Sequence, residues 1–152
     1  MRVSILKVRF ENRKKFYVYG YAVETELNSS ENDVGLLWEN HRRILQSIPT
    51  SQSCLYGVMW YTEGHRYYYH LGICSKTPLM EDMTAVMIPS ACFAIATVPN
   101  DMTIVEAWTE YFENELPSLG YIPDSEHGKY FEFHDADGKC ELWTPVKEYI
   151  KL

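Results

Sequence analysis

The sequence predicts an α+β fold: an antiparallel sheet with two helices on one face and a ligand groove on the other. Three observations predict it. Segments rich in β-branched and aromatic residues, the strand signal, recur along the chain. Two segments carry apolar residues at helical spacing. The order strand, helix, hairpin occurs twice, over about residues 16–75 and 83–147. Each half reads as a β-α-β-β unit, and neither can bury its sheet alone. One pseudo-symmetric domain over residues 1–152 is expected.

The elements follow in order. FYVYGYAVETEL (Phe16–Leu27) is a strand. Val34, Leu37, Trp38, His41, Leu45 and Ile48 share one helical face, so residues 33–47 form an amphipathic helix that Pro49 stops. CLYGVMWY and RYYYHLGIC are strands around a turn at Thr62-Glu63-Gly64-His65. MTAVMIP and ACFAIATVP are strands broken by a Pro-Ser corner. Thr103 and Glu106 form a capping box for a second helix, which Pro117 ends. KYFEFH and CELWTPVK are strands joined by DADG, with Gly138 supplying a positive φ. Trp38 and Trp108 lie at helical spacing with apolar neighbours and are expected in the core.

Alternation in the last hairpin points to a site. Phe131 and Phe133 face one way, Glu132 and His134 the other. On the return strand Glu141 and Trp143 share a face. Pairing Glu132 with Glu141 sets two carboxylates beside an indole, an arrangement a sheet disfavours without a purpose. The first hairpin then brings Tyr68 and His70 to the same side, with Tyr56 as a further candidate. The expected ligand-binding set is Glu132, Glu141, Trp143, Tyr68, His70, His134 and Tyr56. Twelve tyrosines and four tryptophans exceed what a core of this size takes up, and their polar tips suit a half-wet groove.

Composition excludes other classes. The net charge is −7 and the longest basic cluster is Arg13-Lys14-Lys15, so no stripe follows a phosphate backbone and no nucleic acid partner is expected. Cys54, Cys74, Cys92 and Cys140 form no CxxC pair, and the five histidines show no metal spacing. No metal or cofactor is expected. No run approaches the ~20 apolar residues of a membrane span, and MRVSILKVRF lacks the pattern of a signal peptide. A cytoplasmic protein is expected.

AWTEYFENELPSLGYIP, KYFEFHDADG and CELWTPVK resemble the C-terminal half of the GyrI-like small-molecule-binding family. That family supplies effector-binding domains of AraC-type and MerR-type multidrug regulators and stand-alone proteins. Trp108, Tyr111, Phe112, Leu116, Pro117, Gly120, Tyr121, Phe131, Glu132, Glu141, Trp143, Pro145 and Val146 stand at the matching positions. VYGYAVETEL, LLWENH and YYYHLGIC resemble the first half more loosely. The resemblance implies two β-α-β-β units around a cleft where lipophilic, often cationic, molecules stack on aromatics beside a buried Glu, best matched by Glu132. With no helix-turn-helix segment, a stand-alone binder is expected. Two alternatives stay open. One is a hydrolase of strained, cyclopropane-bearing electrophiles, with Glu132 as general base and Tyr68 as hydrogen-bond donor. The other is an interaction protein that modulates a topoisomerase such as gyrase.

Overall fold

The computed structural model describes residues 6–26, 28–62, 64, 66–124 and 129–148. Leu27, Glu63 and His65 of the expected strand and turn lie outside these. The described residues form nine strands: β1 Val8–Arg13, β2 Phe16–Glu26, β3 Leu55–Tyr61, β4 Arg66–Cys74, β5 Thr84–Ile88, β6 Ala91–Thr97, β7 Tyr121–Pro123, β8 Tyr130–His134 and β9 Cys140–Glu148. Helix α1 is Ser30–Ser47 and α2 is Ile104–Glu110; α2 runs on through a π turn, Tyr111–Glu115, into the single turn α3, Leu116–Ser118. All pairings are antiparallel, in the order β1-β6-β9-β8-β3-β4-β2-β5, with β7 on β9. The two halves contribute β6-β9-β8 and β3-β4-β2, mirror orders that meet at the β8–β3 pair.

Such a sheet has to roll. β1 and β2 stand six strand spacings apart in the order, as do β5 and β6. Flat, six spacings are roughly 29 Å at about 4.8 Å each. Yet only Lys14-Lys15 joins β1 to β2, and only Pro89-Ser90 joins β5 to β6. From Arg13 to Phe16 an extended chain reaches at most ~10 Å. The two ends of the sheet therefore meet at one corner, where the Lys15 N–H donates to Ser90 Oγ at 2.9 Å. The roll's interior holds Val18, Val58, Phe93, Ile95, Phe131 and Trp143. Arg13 closes the corner. Its guanidinium lies 3.6 Å from the Phe16 ring centroid and 5.4 Å from that of Trp143, and donates to Tyr56 Oη at 3.1 Å.

The helices lie on the outer face. α1 packs Leu37 and Leu45 with Leu71 and Ile73 of β4. The α2 run packs Ala107, Tyr111 and Leu116 with Ala94, Ala96 and Leu142 of β6 and β9. α2 is fixed at its start by the capping box, Thr103 Oγ1 accepting from Glu106 N and Glu106 Oε1 from Thr103 N. α1 begins at Ser30, three residues before the expected Asp33, whose carboxylate is taken instead by Thr25 Oγ1 at 2.7 Å. Because each helix covers the flank of its own half, the central strands β3 and β8 are left as the floor of a cleft.

Candidate functional site

The register of the last hairpin decides which side chains reach this cleft. DADG was expected as a four-residue turn. The loop instead has five residues, Asp135–Lys139: Asp135 N–H donates to Lys139 O, and Asp135 Oδ1 accepts from the N–H groups of Asp137 and Lys139. His134 therefore pairs with Cys140, Glu132 with Leu142, and Phe133 with Glu141. One extra residue reverses the face of every side chain on the return strand relative to the first. The pairing of Glu132 with Glu141 is thus corrected. Glu141 faces the other way and is joined by Arg9 at 2.8 Å. Glu132 also pairs across β3 with Gly57, on the face that the helices flank. The cleft around this carboxylate is on the helix side, and the opposite face, where the groove was expected, is the filled interior of the roll.

Glu132 is 7% exposed, yet its carboxylate is fully hydrogen-bonded. Oε1 accepts from Tyr69 Oη at 3.0 Å and lies 3.2 Å from His134 Nε2. Oε2 accepts from Trp108 Nε1 at 3.0 Å. Trp38 Nε1 donates to Tyr69 Oη at 3.1 Å, so a chain runs from α1 through β4 to β8 and on to α2. Burial, and then the negative charge of Glu132, hold the Tyr69 phenol well above its ordinary range, which keeps it a donor. Gly57 makes this possible: a Cβ built there overlaps the Tyr69 hydroxyl. Trp38 and Trp108, expected in the core, are half-buried cleft walls on opposite helices, Trp108 donating to the carboxylate directly and Trp38 reaching it through Tyr69.

Around this carboxylate lies a cavity of about 430 Å³, walled by Val34, Trp38, Met59, Tyr67, Ile104 and Trp108, with Ser30 and Glu31 at the α1 side. A second cavity, about 370 Å³, lies beyond Trp108 and shares Met59, Tyr67, Val105 and Trp108 with the first.

Of the expected set, Glu132 and His134 line the first cavity. The other five side chains point to the opposite face. Tyr68 stacks on Trp60 there, with ring centroids 5.2 Å apart. Tyr56 packs with Phe16, Phe131 and Phe133. Trp143 stacks on Phe131 at 5.1 Å, and its indole N–H donates to Glu141. His70 is buried with Nε2 donating to Val18 O at 3.1 Å, Nδ1 has no partner among the described residues, and burial holds the ring at a pKa of about 4. The sequence reading missed Tyr67, Tyr69 and Met59. The available signal was parity: once Glu132 faces the cleft, Gly57 and Leu71 share its face, and so do Tyr67, Tyr69 and Met59, an even number of residues away.

Burial, and then the charge of Glu132, push the Cys140 thiol up, so it stays protonated. Among the described residues no group of His, Cys, Asp and Glu is placed to hold a metal, and no helix is long and apolar enough to cross a membrane. His65 and His127 lie outside the described residues.

Solved structures share the architecture. An integron cassette protein from the mobile metagenome of Vibrio cholerae is 16% identical, with a TM-score of 0.66 over 92% of this chain and 95% of that one. SAV2435, solved bound to tetraphenylphosphonium, is 11% identical, with a TM-score of 0.71 over 93% and 94%. A hydrolase from Listeria innocua is 11% identical, with a TM-score of 0.58 over 93% and 92%. At these identities the likeness is one of fold. No curated protein matches the chain. The family model does, over residues 6–147: with its mirrored strand order and two flanking helices, the chain belongs to the GyrI-like small molecule binding domain family.

Proposed function

We propose that the cleft binds a lipophilic organic cation, with Glu132 as the counter-charge and Trp38, Tyr67, Tyr69 and Trp108 as its aromatic walls. One observation carries this. Glu132 is a buried carboxylate that, among the described residues, pairs with no Lys or Arg and faces a cavity. A buried carboxylate with no Lys or Arg beside it is costly to hold ionised. Phenol, indole and imidazole groups offset part of that cost, and an incoming cation offsets more. Aromatic faces attract the same ligand through cation–π contact, worth about 2 kcal/mol when desolvated. With an apolar body buried as well, micromolar affinity, about 8 kcal/mol, is within reach. The tetraphenylphosphonium bound by SAV2435 belongs to this ligand class and supports the reading.

A hydrolytic role for the same carboxylate draws support from the Listeria innocua neighbour. Tyr68, its expected donor, is on the far face beside Trp60, so Tyr69 would take that part. Calorimetric titration with tetraphenylphosphonium, followed by recovery of the ligand, tests the binding role. One-to-one micromolar binding is expected; absence of heat in the parent protein overturns it. A parallel incubation with cyclopropane-bearing electrophiles tests hydrolysis, and their conversion, lost in Glu132→Gln, would assign the carboxylate to catalysis instead.

A further inference from the structure

The second cavity has no role in the function just proposed. It opens off the first across Trp108, and the two share a wall of Met59, Tyr67, Val105 and Trp108. Its own lining is aromatic: Phe112 and Tyr130 meet edge to face at 5.6 Å, and Tyr61, 63% exposed, stands at its mouth. It holds no buried charge, since Glu113, the acid in its lining, is exposed. Trp108 is pinned by its hydrogen bond to Glu132 and by stacking on Phe112 at 5.2 Å, so it stands as a fixed wall that lines both chambers. The π turn that starts at Tyr111 lies just behind this wall. There Tyr111 turns down to donate to Ala94 O at 2.7 Å, while Phe112 stays in the cleft.

We propose that the cleft is bipartite and takes elongated amphiphilic monocations: the charged head sits over Glu132, and an alkyl or aryl tail crosses Trp108 into the chamber of Tyr61, Phe112 and Tyr130. This rests on the cation-binding role of Glu132 and adds a length requirement to it. A head group alone fills the first chamber. Each methylene carried past Trp108 leaves water for an apolar wall, so affinity climbs with tail length until the chamber is full.

The test uses methyltriphenylphosphonium and hexyltriphenylphosphonium, titrated below their self-association concentrations into the full chain. In the parent the hexyl compound binds at least roughly tenfold more tightly than the methyl one. Thr109 is an exposed α2 residue lining the second chamber, so Thr109→Trp fills it from outside the core. There the hexyl-to-methyl ratio falls to near one. In Tyr61→Ser, another exposed position, the ratio falls part of the way. A tenfold ratio that survives in both variants overturns the proposal. So does methyl binding with no gain from the hexyl tail, which leaves the Glu132 site standing. Failure of the methyl compound to bind the parent overturns both together.

Discussion

Tyr69 sits at the centre of the site because Gly57 leaves room for it. Its hydroxyl crosses β3 above Gly57, accepts from Trp38 and donates to Glu132. Gly57→Ala puts a methyl group where that hydroxyl lies. The ring must shift, and two hydrogen bonds of the buried chain weaken together. We expect Gly57→Ala to lose about 1–3 kcal/mol of stability in urea unfolding and to weaken binding of tetraphenylphosphonium in the same preparation. Stability and affinity both equal to the parent would show that Tyr69 does not hold the carboxylate. The side chains that make this site were the hardest to read from the sequence. Period 2 separates Tyr67 and Tyr69 from Tyr68 and His70, but which pair joins Glu132 depends on pairings that no local pattern encodes. Lys139, a loop residue where four loop residues were expected, was enough to turn Glu141 and Trp143 away from Glu132.

At the scale of elements, both helices were legible from their 3.6-residue period, and α2 from its capping box as well. The period locates the inward face of a helix. It does not say whether that face meets packed side chains or a void, so Trp38 and Trp108 read as core although they wall a cleft. Strands β1 and β7 went unread for a different reason. VRFENR is charged and largely exposed, and YIP is three residues long. The capping box gives a direct test, because α2 carries Trp108 to Glu132. Thr103→Ala should cost about 1 kcal/mol of stability and lower cation affinity less than Trp108→Phe, which deletes the indole donor outright. If Thr103→Ala lowers cation affinity as much as Trp108→Phe does, the placement of α2 rather than the indole hydrogen bond governs the site.

The roll of the sheet is a property of the whole molecule, and the sequence disguised it. Pro89-Ser90 looks like an ordinary corner between neighbouring strands, and Lys14-Lys15 went unread along with β1. Both join opposite ends of the sheet, and only the full pairing order reveals it. Arg13 closes that seam against Phe16, Trp143 and Tyr56. Arg13→Ala should lower the urea midpoint by an amount equivalent to about 2 kcal/mol. An unchanged midpoint would place the strength of the seam elsewhere.

The roll also buries His70. Its pKa in the folded protein, about 4, lies below its ordinary value of 6.5. The unfolded chain therefore takes up a proton as pH falls through about 6.5, whereas the native state does so only near 4. This term leaves stability untouched above pH 6.5 and removes about 3 kcal/mol progressively between 6.5 and 4. His70→Leu should lose that part of the pH dependence in urea unfolding compared across the window. Identical pH slopes for parent and variant would mean that His70 is not held neutral in the fold.

The proposed role of Glu132 is to be the counter-charge of an organic cation in the cleft between α1 and α2. The most direct measurement is calorimetric titration of a cation and a neutral analogue, methyltriphenylphosphonium and triphenylphosphine oxide, into the parent and Glu132→Gln. The cation should lose about 1.5–3 kcal/mol of affinity in the variant, the scale of a charged hydrogen-bonding contact, while the neutral compound changes little. Equal losses for both ligands, or no loss for either, would contradict it.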